Sequence, residues 1–559
     1  MQRSRAAGWT ADNTAMFRSR RPNPALPARA RPRTLVGELA IVLLGSALLG
    51  FPSARAVPPA MPSTQVAWLP ASAPVEVENA FARARREDKP LLLYWGASWC
   101  PPCNQLKATL FNRQDFAALS RSFVAVHVDG DRPGAQKLGQ QFKVAGYPTL
   151  VLFRADGREI TRLPGEAEAT QVMELLRLGL AGGRPAGEVL LDARAGRPLA
   201  PAEWRMLAFY SWETDDEQLL SDVDAASVLA ELAIAASAKG STAGADTAAR
   251  LWLRALAASD EGKGLKADEP LRARVRALLA DAAQRRALAD VLVNGAPAMV
   301  RALADSEEAR QPWQQAFEPV LIGLQADAGL ARADRLAALA ARVELARLEL
   351  PRAELRPALP PALVQEVRAH VQGDDRAITD AYERQAVIPY AAYVLERAGL
   401  WPEAQALLRA NLARSSAPYY LMSQLGSLER KLGRNEEALR WYAQAFEKSQ
   451  GPATRLQWGA GYLRALVDLA PTQAQRIEAT ARQLFTEAAQ DSGAFYKRSG
   501  RSLQRVGRAL QDWNQEGRHD ARLQRLGAQL ETVCRRLDAA DGQQERCRTL
   551  LGKRDKASG

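Results

Sequence analysis

The pattern of apolar and polar positions changes about a third of the way along the chain. Between residues 75 and 180, short apolar runs alternate with amphipathic stretches, as expected for strands that alternate with helices. The pattern predicts strands at 91–95, 123–129, 150–153 and 159–162, and helices at 75–87, 101–110, 133–142 and 168–180. Asp156-Gly157 predicts a hairpin turn between the last two strands. This order predicts an α/β domain, residues 75–182, in which helices flank a mixed sheet.

Beyond Gly182-Gly183-Arg184-Pro185 the apolar residues follow a helical period, and the sequence shows no convincing series of strands. Residues 200–555 are rich in Ala, Leu and Arg and predict consecutive amphipathic helices. We therefore expect the α/β domain to be followed by an all-α solenoid. Stacked helices of this kind form concave surfaces that bind peptides or proteins, although a purely structural array is an alternative.

An internal repeat is visible in the second half of this helical region. Segments that begin at Gly399 and Gly433 share the order Gly-x-x-x-Glu-Ala and lie 34 residues apart, which is the period of tetratricopeptide repeats. The second unit resembles that family well, but Glu429 stands where an aromatic residue is usual. We interpret residues 385–555 as a tetratricopeptide-like helical region and residues 183–384 as helical without a defined period.

The N-terminus has the order of a secretory signal peptide. Residues 1–34 are basic, residues 39–51 are uncharged and mostly apolar, and Ala54-Arg55-Ala56 follows. The sequence predicts a signal peptide over 1–56 and a linker over 57–74. An apolar run of this length is short for a membrane span, which needs about 20 residues, but an uncleaved anchor is the alternative. Either interpretation predicts a periplasmic location, free or anchored to the inner membrane, with membrane contact only if the segment stays uncleaved.

The net charge of +12 does not predict nucleic-acid binding. Residues 1–56 contain nine arginines and two acidic residues, so most of the excess positive charge lies in the predicted signal peptide. The remaining charges are interspersed along helices, without a dense basic cluster that contains aromatic residues.

The candidate chemistry lies in Cys100-Pro101-Pro102-Cys103, a Cys-x-x-Cys motif between a predicted strand and a predicted helix. The unpaired N–H groups at the start of a helix stabilise a thiolate, so Cys100 is the expected nucleophile. Cys103, one turn later, is the expected resolving thiol. Two inert thiols or half of a zinc site are the alternatives. Zinc needs about four ligands, and the histidines lie far from the motif in sequence, so we expect no metal and no other cofactor. The histidines are His127, His370 and His519.

The segment from Leu91 to Cys103, together with Gly146-Tyr147-Pro148-Thr149, resembles the thioredoxin superfamily and is most similar to periplasmic members of the DsbD type. The resemblance covers under a fifth of the chain. It implies that Pro148 is a cis proline facing the dithiol, and that Trp99, Tyr147 and Thr149 contact the substrate. It also implies thiol–disulfide exchange on protein substrates.

The sequence departs from the thioredoxin pattern at two positions. Tyr94 replaces a buried Asp that is thought to help deprotonate the resolving thiol, and Ala125 replaces the Lys that usually accompanies it. His127 lies on the same predicted strand and is a candidate base, but we interpret it as a surface or strand-end residue.

Cys534 and Cys547 lie 13 residues apart on either side of a predicted helix–helix turn. In an oxidising compartment this arrangement predicts a structural disulfide. A second redox pair that relays electrons from Cys103 is the alternative.

Taken together, the motif and the resemblance predict an exported thiol–disulfide oxidoreductase whose helical region binds protein partners. The resemblance to periplasmic members of the DsbD type favours a reductase over an oxidant. A periplasmic reductase needs an electron donor, and a membrane thiol transporter is the expected class. The alternative from another class is a non-enzymatic binding or assembly protein that contains a structural thioredoxin-like domain. A peroxide-reducing enzyme is disfavoured because no peroxidatic pocket motif surrounds Cys100.

Overall fold

The computed structural model describes residues 65–552, except 164, 166, 216–218, 221–223, 260–264, 352 and 538. The predicted signal peptide, and the predicted linker up to residue 64, lie outside the described residues. Within the described part of the chain, no helix combines the length and the apolar character needed to cross a membrane.

The first domain is built on a five-stranded mixed sheet with the order β1-β3-β2-β4-β5. β1 and β2 run parallel to β3, and β4 runs antiparallel to both β2 and β5. The strands are β1 (Leu69–Ala71), β2 (Leu91–Gly96), β3 (Val124–Asp129), β4 (Thr149–Phe153) and β5 (Glu159–Leu163). β2 is buried along its whole length, which explains why it is an uninterrupted apolar run rather than an alternating one.

Helices cover both faces of this sheet. They are α1 (Pro74–Glu87), α2 (Pro101–Leu106), α3 (Gln114–Leu119), α4 (Ala135–Gln141) and α5 (Ala169–Leu180). Leu91 and Leu93 pack in one layer with α1 and α4, whereas Leu92 and Tyr94 pack in the other with α2 and α5. This division follows from the alternation of side chains along a strand.

The structure adds two elements that the sequence pattern did not predict. Residues 69–71, which we interpreted as linker, form the edge strand β1, and residues 114–119 form α3. The helix predicted over 101–110 is α-helical only to Leu106 and continues as a π-helical turn, Lys107–Phe111. The fold class is as predicted, an α/β domain followed by an all-helical region.

The remainder of the described chain is helical. Its helices are α6 (Ala186–Arg194), α7 (Pro201–Phe209), α8 (Ala225–Ala236), α9 (Ala245–Ala258), α10 (Glu269–Ala280), α11 (Ala282–Ala287), α12 (Ala289–Leu303), α13 (Glu307–Ala326), α14 (Arg332–Ala346), α15 (Pro361–Ala377), α16 (Ala381–Arg397), α17 (Trp401–Asn411), α18 (Pro418–Lys431), α19 (Asn435–Lys448), α20 (Pro452–Leu469), α21 (Ala474–Ala488), α22 (Lys497–Trp513), α23 (Asp520–Cys534) and α24 (Gln543–Arg548).

The two segments with similar sequences occupy equivalent places in two consecutive helical hairpins, α16–α17 and α18–α19. Gly399 and Gly433 both adopt left-handed backbone conformations, with φ of 76° and 75°, at the turn between the helices. A residue with a side chain is strained in that conformation, which explains the glycine at both turns. Glu429 is buried and accepts hydrogen bonds from Gln405, Arg409 and Arg434, so an ionic cluster occupies the place of the usual aromatic residue.

The helical region packs against the α/β domain. One apolar core extends from the sheet face of Leu92 and Leu152 to Leu207 on α7 and Leu232 on α8. Farther along the chain, α16 packs against the short helix α2, and α22 packs against α4. The chain therefore returns to the domain from which it started.

Candidate active site

The dithiol lies where β2 ends and α2 begins. Cys100 occupies the N-cap of α2, and the backbone N–H of Cys103 donates a hydrogen bond to the Cys100 sulfur at 3.3 Å. The two cysteines form a disulfide with Cα atoms 5.3 Å apart. In the reduced state the same N–H group and the start of the helix stabilise negative charge on the Cys100 sulfur. The structure therefore places Cys100, rather than Cys103, at the start of the helix.

A buried asparagine fixes the turn that carries the dithiol. The Asn104 side-chain N–H group donates to the carbonyl oxygens of Ser98 and Cys100, both at 2.8 Å. Pro101 and Pro102 fill the first turn of α2, where a missing N–H costs no helical hydrogen bond. The loop before the helix is therefore held by one side chain and by two conformationally restricted residues.

The Tyr147–Pro148 peptide bond is cis, and Pro148 lies immediately before β4, the strand that pairs with β2. Gly165 approaches Pro148 so closely that a Cβ atom on Gly165 would lie 2.4 Å from the proline ring. Thr149 is fully buried and donates a hydrogen bond to the Gly146 carbonyl at 2.8 Å. Its hydroxyl thus stabilises the loop that carries the proline.

Trp99 and Tyr147 are held by polar contacts of their ring substituents. The Trp99 indole N–H donates to Asp131 at 2.7 Å, and the Tyr147 hydroxyl accepts a hydrogen bond from Gln136 at 2.7 Å. Burial raises the pKa of Tyr147, so its phenol stays protonated near neutral pH. The two rings lie next to each other, with centroids 6.3 Å apart.

The helical region completes this site. Asp131 accepts hydrogen bonds from Thr454 on α20 and from Arg498 on α22, in addition to the bond from Trp99. Burial raises the pKa of the Asp131 carboxyl, an effect that Arg498 opposes. The Arg498 guanidinium also lies over the ring of Trp99, at 4.9 Å, and over the ring of Tyr147, at 5.3 Å.

Aromatic residues of the helical region surround Trp99. Tyr420 on α18 stacks on it with a centroid distance of 5.9 Å, and Trp458 on α20 lies edge-on at 6.3 Å. Gln385 on α16 donates a hydrogen bond to the Trp99 backbone carbonyl at 3.1 Å. We refer to Gln385, Tyr420, Thr454, Trp458 and Arg498 together as the cap.

The cap leaves almost no exposed surface at the dithiol. Trp99 is 6% exposed, Cys100 3% and Cys103 0%. Both cysteines belong to an apolar cluster that also contains residues from α18 and α19 and from the loop before α18. These are Ala417, Tyr419, Tyr420, Met422 and Ala445.

The sequence comparisons agree with this geometry. Residues 77–179 match the thioredoxin-like domain family. The chain is 31% identical over 90 residues to a thioredoxin-like protein of Synechocystis sp., a match that covers 16% of this chain and 81% of that protein. The chain belongs to the thioredoxin superfamily.

Two further relatives are named for disulfide chemistry. The chain is 28% identical over 130 residues to the thiol:disulfide interchange protein DsbD 1 of Pseudomonas aeruginosa, which covers 22% of each protein. It is 25% identical over 120 residues to the disulfide bond reductase DsbH of Chlamydia pneumoniae, which covers 18% of this chain and 70% of that protein. The chain thus spans about a fifth of the length of the DsbD relatives that it matches.

The strand that leads to the dithiol carries a buried tyrosine. Tyr94 is 2% exposed, and its hydroxyl has no hydrogen-bond partner among the residues that the structure describes. Burial raises the pKa of Tyr94, so the phenol does not replace the missing carboxylate as a base.

His127 differs from our interpretation of it as a surface or strand-end residue. It lies within β3 and stacks on Tyr94 with centroids 4.9 Å apart. Trp68, just before β1, packs edge-on against it and covers this face of the sheet. Burial, with help from the charges of Lys107 and Arg132, lowers the pKa of His127 to about 4. The imidazole is therefore part of an aromatic cluster.

A cavity of about 100 Å³ adjoins the dithiol turn, between the thioredoxin domain and the helical region. Pro101, Pro102 and Gln105 line it on one side, and Asp334 and Tyr390 line it on the other. Gln105 donates a hydrogen bond to the Asp334 carboxylate at 2.8 Å, and burial raises the pKa of Asp334 to about 7.

The second cysteine pair lies away from the dithiol. Cys534, at the end of α23, forms a disulfide with Cys547 on α24, with Cα atoms 5.5 Å apart. Both cysteines are fully buried in the C-terminal apolar core, which is distinct from the cluster around Cys100.

Sequence reasoning identified the dithiol, Trp99 and the Tyr147-Pro148 loop but missed Asp131 and all five cap residues. A signal for Asp131 was available, because it follows β3, and the carboxyl ends of parallel strands lie at one edge of a sheet. The cap residues carried no such signal, since each lies more than 280 positions from Trp99.

Proposed function

We propose that this protein is an exported thiol–disulfide oxidoreductase that acts on protein disulfides as a reductase. The observation that carries the proposal is the placement of Cys100 at the N-cap of α2, three residues before Cys103 and one helical turn away from it. In the reduced protein, the Cys100 thiolate would attack a partner disulfide, and one partner sulfur would leave as a thiolate. Cys103 would then attack the Cys100 sulfur of the mixed disulfide. This step forms the Cys100–Cys103 disulfide and releases the partner's second sulfur as a thiolate.

The direction of exchange is proposed from the relatives. One of them is named as a disulfide bond reductase, and another as a thiol:disulfide interchange protein. A reductase outside the cytoplasm must be re-reduced after each cycle. We propose a membrane thiol transporter as the electron donor and thiol- or disulfide-containing proteins as substrates, with the helical region contacting these partners.

The reduction potential of the Cys100–Cys103 pair tests this proposal. The full chain would be equilibrated in dithiothreitol and glutathione buffers, quenched by alkylation, and analysed by peptide mass to give the oxidised fraction of this pair alone. A reductase is expected near about −270 mV, the thioredoxin value, whereas a value near about −120 mV is typical of an oxidant. The Cys100→Ser variant is the control. A pair that never interconverts over this range contradicts the proposal.

One observation favours a second candidate function. Because the disulfide is nearly inaccessible, the thioredoxin domain could serve as a structural support for a helical binding protein. The Cys100→Ser/Cys103→Ser variant separates the two functions in cells that lack the wild-type chain. Loss of the cellular phenotype supports the oxidoreductase, and full retention supports the binding protein.

A further inference from the structure

The substrate-facing surface of the thioredoxin domain is occupied by its own chain. Trp99, the dithiol and the Tyr147-Pro148 loop form one surface, and the cap covers it from four helices. A mixed disulfide requires the partner's Cβ atom to lie about 3.5–4.5 Å from that of Cys100. Apolar side chains from α18 and α19 pack in one cluster with Cys100, which is only 3% exposed. A partner sulfur therefore has no room in this arrangement.

We propose that the helical region is a gate, and that exchange proceeds from an open form in which the cap has moved away from Trp99. The proposal rests on the proposed function, since it concerns exchange at the same dithiol. The closed form is the one described here. Only the open form presents the Cys100 sulfur and the Pro148 loop to a partner disulfide or to an electron donor.

The contacts between the cap and the thioredoxin domain suit a gate. They include one hydrogen bond from Gln385, ring contacts of Tyr420 and Trp458 with Trp99, and a polar cluster in which Asp131 accepts from Thr454 and Arg498. No covalent bond within the described residues joins the cap to the domain, since the disulfides pair Cys100 with Cys103 and Cys534 with Cys547.

The same contacts also resemble the way in which a substrate segment would bind. Gln385 donates to the backbone carbonyl of Trp99, a group beside the nucleophile that an extended peptide could otherwise engage. Tyr420 stacks on the Trp99 ring, which the family resemblance assigns to substrate contact. The cap and a partner would therefore compete for the same groups, and binding of a partner would favour the open form.

Alkylation of reduced Cys100 tests the gate in the full chain. The protein would be reduced, freed of reductant and treated with N-ethylmaleimide between pH 6 and 10, with Cys100 followed by peptide mass. The alkylation rate depends both on the fraction of Cys100 that is thiolate and on how accessible the sulfur is. At the high-pH plateau Cys100 is fully ionised, so the rate there reports accessibility alone. We expect Cys100 in the native chain to react at least about a hundredfold more slowly than in the urea-unfolded chain at the high-pH plateau, because modification follows transient opening.

A matched pair of tyrosine variants locates the gate. Tyr420→Ala removes the stack on Trp99 and is expected to accelerate alkylation about tenfold. Tyr462→Ala is the control, because Tyr462 is buried to the same degree, 7% exposed against 8%, but belongs to the C-terminal core. Gln385→Ala, which removes a single hydrogen bond, is a milder second variant if Tyr420→Ala loses helical structure by circular dichroism.

Each outcome bears on the gate. Slow alkylation that Tyr420→Ala or Gln385→Ala accelerates, and Tyr462→Ala does not, supports it. A native rate within a few-fold of the unfolded rate overturns it, as does an equal response to all three variants. If the Cys100–Cys103 pair is oxidised and reduced at its expected potential but the cap variants leave the alkylation rate unchanged, the gate proposal is wrong and the proposed function stands. If the dithiol cycles in no variant, the proposed function is wrong, and exchange through the gate with it.

Discussion

Asp131 and Arg498 form a buried ion pair although 367 residues separate them in the chain. Asp131 also accepts the indole N–H of Trp99, so this carboxylate connects the residue before the nucleophile to helix α22. Arg498 in turn lies over the rings of Trp99 and Tyr147. One pair of charges therefore links the dithiol surface to the C-terminal part of the helical region.

Removing one member of this pair should destabilise the protein strongly. Arg498→Met leaves the Asp131 carboxylate buried without its cation, and the expected loss is about 3–5 kcal/mol. The double variant Asp131→Asn/Arg498→Met should recover a large part of it, because neither charge then remains unpaired. Urea unfolding measures both effects, with the exposed Arg536→Met as the control. A single variant as stable as the control would contradict the pairing.

The stability of the protein should depend on pH through His127. Its pKa is about 4 in the folded state, against 6.5 when unperturbed, so the unfolded chain binds more protons between these values. The contribution of a neutral His127 is fully present above pH 6.5 and is lost as the pH falls towards 4, by about 3 kcal/mol in all.

His127→Phe keeps the stack on Tyr94 and removes the titration. The difference in the free energy of unfolding between this variant and wild type should therefore widen in favour of the variant from pH 7 to pH 4. The difference is used because other groups titrate in the same range. Parallel pH profiles for the two proteins would show that His127 is not shielded as described.

Tyr94→Phe should leave the protein as stable as wild type or make it more stable. Within the described part of the chain the buried Tyr94 hydroxyl has no hydrogen-bond partner, a cost of about 1–3 kcal/mol that phenylalanine avoids. The reduction potential of the dithiol should stay the same, because the raised pKa of Tyr94 prevents it from acting as a base. Chemical denaturation and the redox titration described above check the two parts. A shift in potential would instead assign Tyr94 a role in exchange.

The Cys534–Cys547 disulfide should stabilise the C-terminal helices. The loop that it closes is short, and the loop-entropy estimate is about 3 kcal/mol. The Cys534→Ala/Cys547→Ala variant, measured against wild type under non-reducing conditions, should lose about this amount. Intact mass with and without reductant, on a Cys100→Ser/Cys103→Ser background, verifies the bond itself. Two free thiols after aerobic purification would contradict it.

The elements of the thioredoxin domain could be predicted because they depend on local patterns. β2 is an apolar run and α2 begins at two prolines directly after Cys100, so both were recognisable from a few residues. β1 was missed because a three-residue strand that contains Pro70 has no periodicity to detect. The prediction that His127 lies at the surface was wrong for the same reason. Trp68, which packs against His127, belongs to the segment that we interpreted as linker.

The cap could not be predicted because its contacts are long-range. Tyr420 and Arg498 occupy ordinary positions of amphipathic helices, and helical periodicity does not indicate which distant surface they cover. The repeat around Gly399 and Gly433 predicted the hairpins but not their docking on the dithiol. Buried polar residues such as Asp131 and Gln385 depend in part on partners hundreds of positions away.

The separation of 367 positions between Asp131 and Arg498 also sets the order in which parts of the protein form during synthesis. At about 5–20 residues per second, the ribosome needs roughly 20–70 s to pass from one to the other. The thioredoxin domain has all its strands long before the cap helices α16 to α22 exist, so Cys100 and Cys103 spend most of that interval uncovered. The oxidants and reductants that the nascent chain meets can therefore set the redox state of the pair before the last helices arrive to enclose it.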